Sequence, residues 1–274
     1  MSMTAVNLLL RYLRATYSGL IKPLQAAYQH RYLLLLLIRR DVTTRTSGTW
    51  FGDAWLLLQP ALQIVGFWFL LDIVLQVKFP KNVPFLNYFL IGMLTWAFIA
   101  EVLGRSLTVL SEFGSLYRRA VFPVIILPLF PIILSATLYS IVMGITVGLL
   151  EGYEQAPYGV LCILGVSLLL IPICYLLAVI GLFLKDISQI FPFLITVTLY
   201  LTPILYMPDS LPSNLSWLLM VNPAADVMAI VHGGLQGLAW DWGNLARPLV
   251  LWLLLLAPSA VLFRRAEPHV REML

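Results

Sequence analysis

Residues 124–150 read VIILPLFPIILSATLYSIVMGITVGLL, with no Asp, Glu, Lys, Arg or His anywhere in the run. A helix needs about 20 mostly apolar residues to cross a hydrocarbon core, and this stretch exceeds that. Four other stretches read the same way: residues 54–77, 85–103, 158–184 and 187–207. A sixth, residues 245–263, is shorter, and Arg247 is expected to snorkel at its start. The expected fold is therefore an all-α polytopic membrane protein with six transmembrane helices. The whole chain agrees with this. Of its 274 residues, 61% are hydrophobic and 11% charged, where a soluble domain carries about 25% charged residues. Mean hydropathy is +0.92.

Between the fifth and sixth stretches, the apolar residues 215–231 are broken by Asn222-Pro223 and Asp226. A proline there opens the helix ladder. This part is expected to form a re-entrant hairpin, two short helices that dip in and return, because irregular backbone at membrane depth needs protein or water around it.

Basic residues set the orientation. With the N-terminus in the cytoplasm, fourteen of the 17 Lys and Arg face inward and only Lys78, Lys81 and Arg247 face out. The expectation is a multi-pass protein of the cytoplasmic (inner) membrane with both termini cytoplasmic. The same bias accounts for the net charge of +4 without a nucleic-acid partner.

The first 53 residues hold no span. Residues 7–10 are too short for a signal-peptide core and are interrupted by Arg11 and Arg14. Val6, Leu9, Leu10, Leu13, Tyr17 and Leu20 recur at helical spacing, with Arg11, Arg14 and Lys22 off that stripe. Residues 33–38 are apolar and flanked by His30, Arg31, Arg39 and Arg40. One or two amphipathic helices lying in the membrane interface are expected here. The division is 1–53 as a cytoplasmic N-terminal region, 54–263 as the transmembrane domain and 264–274 as a cytoplasmic tail.

The sequence shows no catalytic constellation. It contains no G-x-x-x-x-G-K-[ST], its three histidines are scattered, and no serine sits in a nucleophile elbow. Cys162 and Cys174 read as small buried apolar residues. Within the spans, Glu101 and Arg105 are spaced i,i+4 with the acid first, which fits a local ion pair or the lining of a channel mouth. Asp72 either meets Lys78 or faces a polar path. Trp68, Phe89, Trp96, Phe98, Tyr139 and Tyr200 lie deep in the spans. They serve either as helix packing or as a slide for sugar rings, whose C–H faces stack on aromatics.

Three stretches carry a resemblance. Residues 39–55, RRDVTTRTSGTWFGDAW, lead into Gln59-Pro60; residues 116–123, LYRRAVFP, precede Pro128; and Lys185-Asp186 opens the fifth stretch, which closes on residues 202–206, TPILY, with Asn222-Pro223 following. In this order and spacing they resemble the ABC-2 type permeases that export polysaccharides such as O-antigen, teichoic acid and capsule. Thr46 stands where that family has tyrosine, Phe51 where it has leucine, and Lys185 where it has arginine.

The resemblance implies the ABC-2 (type V exporter) fold and a permease subunit exporting a lipid-linked polysaccharide. Two copies would pair, and two ATPase subunits carrying ATP and Mg would dock below, since this chain has no nucleotide site of its own. Glu112, Leu116, Tyr117, Arg118, Arg119 and Phe122 would form the coupling helix to the ATPase. Arg31, Arg39, Arg40 and Arg45 would attract lipid phosphates at the entrance gate, or else meet anionic headgroups. The deep aromatics would line the channel, and Asn222 and Pro223 would shape the exit hairpin. Two other functions compete with this one, an ABC-2 exporter of small lipids or drugs and a membrane-embedded transferase. The transferase would need clustered acids or histidines at one membrane face, and the acids here are dispersed.

Overall fold

A computed structural model of the protein describes residue 12 and residues 19–77, 84–114, 123–236 and 243–273, and these are all helix and connecting turn. A helical stretch at residues 19–29 runs into α1 (Arg31–Thr46). α2 (Trp55–Trp68) continues as a π-helical segment, Phe69–Val74. α3 (Phe85–Glu112), α4 (Leu129–Leu150) and α5 (Ala156–Phe183) follow. α6 (Ile187–Leu201), α7 (Trp217–Val221), α8 (Pro223–Gln236) and α9 (Gly243–Met273) complete the order.

Among the described residues, five helical spans are long and apolar enough to cross a membrane, Gly52–Val74, Phe85–Glu112, Val124–Leu150, Tyr153–Phe183 and Gly243–His269, or six if the bent pair Ser213–Val221 and Pro223–Leu235 counts as one. The protein is thus a multi-pass membrane protein. The expected fifth span, residues 187–207, is cut short. α6 has 15 residues and covers about 22 Å at 1.5 Å per residue, short of a core about 30 Å thick. The cause is local. Thr202 precedes Pro203, whose ring disfavours helical backbone at the residue before it, and Thr202 is extended at φ −93°, ψ 137°.

α3, α4 and α5 form the buried core, with α9 packed on α5 and α8 wedged against α3 and α9. α3 and α5 cross closely at Gly181 on α5, where a Cβ would lie 2.0 Å from the Leu107 carbonyl oxygen of α3. Only a glycine lets two backbones approach in this way. Three buried hydroxyls are satisfied within their own helices, while those of Ser135 and Ser140 find no partner among the described residues. Thr95, Ser106 and Ser167 donate to the carbonyls of Ile91, Val102 and Ile163 on their own helices.

α2 and α6 sit outside this core. α2 buries only Ile64 and α6 only Leu199. Leu62, Val65, Phe69, Ile190, Phe193 and Leu194 are exposed in the single chain.

The bend between α7 and α8 is 93°, an elbow rather than a tight hairpin. Asn222 precedes Pro223 and is extended. Its Oδ1 accepts from the Ala224 N–H at 3.0 Å, which caps α8, and Pro223 fills the first helical position. The Asn222 Nδ2 donates to Thr202 Oγ1 at 2.8 Å, so the elbow is fastened to the break that ends α6.

Candidate functional site: a cavity flanked by α2, α3 and α6

The two lightly buried helices flank a half-open cavity of about 780 Å³. α2 contributes Gln59 and Gln63, one turn apart on the same face, together with Trp55 and Phe67. α3 contributes Trp96, Glu101 and Gly104; α4 contributes Tyr139; α6 contributes Phe191, Thr196 and Tyr200. Arg45 reaches its edge from α1. Amides, hydroxyls and aromatic faces thus alternate along a space at the depth of the spans. Such a surface hydrogen-bonds hydroxyl-rich groups and stacks against their apolar faces. A second groove of about 330 Å³, almost wholly apolar, lies against the other side of α6 and shares Trp96, Phe191 and Ile195 with the first.

The profile of the ABC-2 type transporter family matches residues 32–236, which take in α1 through α8. The chain belongs to that family. The O-antigen export system permease protein RfbA of Myxococcus xanthus is 26% identical over 216 residues, covering 76% of this chain and 82% of the relative. The protein of the same name from Klebsiella pneumoniae is 24% identical over 202 residues, covering 72% and 77%. Permeases of this family carry no catalytic activity themselves, and nucleotide binding lies on a separate ATPase.

Of the aromatic residues singled out in the permease sequence, Trp96, Tyr139 and Tyr200 share the cavity wall. Phe89 and Phe98 are fully buried; Phe89 stacks on Phe85 at 5.5 Å and Phe98 packs on Tyr139 at 5.8 Å. Trp68 donates through Nε1 to Asp72 Oδ2 at 3.1 Å, one turn along. That bond supplies Asp72 with a partner inside its own helix.

The four arginines expected at an entrance gate all lie on α1. Arg31 lies over the rings of Tyr28 and Tyr32 at 5.1 and 5.0 Å. Arg39 and Arg40 are exposed. Arg45 pairs with Asp41 at 3.2 Å. Of the residues expected to couple to an ATPase, Glu112 ends α3 and accepts from Thr108 Oγ1 at 2.6 Å. Leu116, Tyr117, Arg118, Arg119 and Phe122 lie outside the described residues, as do Val6, Leu9, Leu10, Leu13, Tyr17 and Lys78.

Two charged residues have partners other than those expected. Arg105 does not pair with Glu101. Its Nη2 donates to Asp41 Oδ2 on α1 at 2.7 Å, with both side chains buried. Glu101 instead sits beside the Tyr139 hydroxyl at the cavity wall. Arg247 forms a forked ion pair with Asp226 and donates to the carbonyls of Met220 and Leu219, the latter at 2.9 Å.

Sequence reading missed Gln63 as a cavity residue; two glutamines four apart in an apolar span are the signal that could have found it. For Glu101 it left open an ion pair with Arg105 or the lining of a channel mouth, and the residue stands at the cavity wall.

Proposed function

We propose that the chain is the permease subunit of an ABC exporter that moves a lipid-linked polysaccharide across the cytoplasmic membrane. The single observation that carries this is the cavity, in which Gln59 and Gln63 face Trp96, Tyr139 and Tyr200. Small lipids and most drugs are largely apolar and would suit the smaller apolar groove better than this cavity. A glycan calls for amides and hydroxyls interleaved with aromatic faces. The similarity to proteins named for O-antigen export supports the same substrate class.

Two copies of the chain would pair through α2 and α6. Their apolar faces lie uncovered beside the cavity, so a second copy would close the space into a conduit. Two ATPase subunits holding ATP and Mg would dock on the segment after Glu112, with Arg118 and Arg119 as contacts. Both termini would lie in the cytoplasm, a placement the bias of basic residues supports. α1 would gate the entrance, its arginines drawing in the phosphates of the lipid carrier, and the α7–α8 elbow would border the exit.

Purification of the chain with and without its ATPase tests this. The chain alone is expected to hydrolyse no ATP, and the complex to hydrolyse it. ATP turnover by the chain alone would refute the reading.

A further inference from the structure

We infer that Arg105 is a positioning residue for α1, which it holds through Asp41, and that it passes to Glu101 when α1 moves away. The purpose assigned to this exchange rests on the reading of α1 as a gate.

α1 touches the bundle lightly. Leu34, Leu37 and Asp41 form one buried stripe, while Tyr32, Leu35 and Leu36 on the other faces are exposed. The polar member of that stripe has two partners: Arg45 on its own helix at 3.2 Å and Arg105 on α3 at 2.7 Å.

Arg105 is poorly satisfied where it stands. Its guanidinium lies over the Phe130 ring at 5.0 Å. Its Nε and Nη1 are buried with no acceptor among the described residues. A guanidinium carries five N–H donors, and buried donors left without acceptors are rare and call for a cause. A buried, half-satisfied ion pair stabilises little by itself; its best-attested use is to select between arrangements.

A second acceptor waits nearby. Glu101 lies one turn earlier on α3, in the acid-before-base order that favours i,i+4 pairing, and it now rests beside Tyr139. Glu112, the other acid on this helix near Arg105, is already engaged by Thr108. α3 itself is fixed here by the Gly181–Leu107 backbone contact, so α1 is the partner free to move. Arg45, Glu101 and Gly104 all line the cavity. Exchange of Arg105 between its two carboxylates would therefore open or close that rim.

The test is thiol accessibility of the full-length chain in detergent. Leu37, 3% exposed, is replaced by Cys, Cys162 by Ala, and N-ethylmaleimide labelling is mapped by mass spectrometry. Asp41→Asn removes the docked partner. It is expected to raise labelling at position 37 by about tenfold or more, the shift that loss of a charged hydrogen bond implies. Glu101→Gln removes the second partner and is expected to lower labelling below the parent. Cys174 is fully buried and reports unfolding; if it labels in the Asp41→Asn chain, the Glu101→Gln result alone decides. Unchanged labelling in the deciding variant, or a rise with Glu101→Gln, would overturn the inference. The assay needs no ATP, partner or glycan, so it stands or falls separately from the export reading.

Discussion

Arg247 on α9 and Asp226 on α8 meet fork to fork, and the same guanidinium reaches the carbonyls that end α7. One side chain thus satisfies the open C-terminal end of one short helix and an acid in the first turn of the next. It fixes the 93° bend from a third helix.

Arg247→Lys keeps the charge and loses the fork. It is expected to lower stability by about 1–2 kcal/mol and to speed proteolysis in residues 213–222. Thermal unfolding in detergent and limited proteolysis check both. An unchanged melting temperature and cleavage pattern would show that the bend holds without this clamp.

Gly181→Ala would drive a Cβ into the Leu107 carbonyl. Two core helices must separate, so a loss of about 3 kcal/mol or more is expected, the upper end of overpacking costs. Gly165→Ala on the same helix meets nothing within 4 Å and should change stability by no more than about 1 kcal/mol. Melting temperatures of the pair, measured side by side, separate a packing effect from a general intolerance of substitution.

Trp96→Ala removes a ring from the wall common to the cavity and the apolar groove. Export of long glycans is expected to fall more than export of short ones, because a long chain meets the ring many times. Gel profiles of surface glycan give the ratio. Equal loss at all lengths would assign the ring to packing.

Arg118→Glu with Arg119→Glu reverses two charges in the segment proposed to meet the ATPase. Insertion is expected to be normal and co-purification of the ATPase to be lost. Retained co-purification would place the contact elsewhere.

The spans and the elbow were legible because they follow from local chemistry. Residues 124–150 carry no charge, and Asn222-Pro223 combines an N-cap with a helix-starting proline. The same local rule, applied at Thr202-Pro203, would have shortened the fifth span; hydropathy alone ran through it. The ion pairs were not legible. Arg105 faces Asp41 across 64 positions, and Arg247 faces Asp226 across 21, so tertiary packing decides both. Each charge in an apolar stretch announced a need for a partner, but i,i+4 spacing named the wrong one for Arg105. The cavity was half legible: Trp96, Tyr139 and Tyr200 stood out as deep rings, while Phe89 and Phe98, of the same type and depth, turned into the core.

Deletion of the gene, with surface polysaccharide and lipid-linked polysaccharide on the cytoplasmic face measured in the same cells, tests the central claim most directly. Loss of surface glycan with accumulation of the lipid-linked form inside, both reversed by restoring the chain, is the predicted result. Surface glycan that persists without the chain would contradict it.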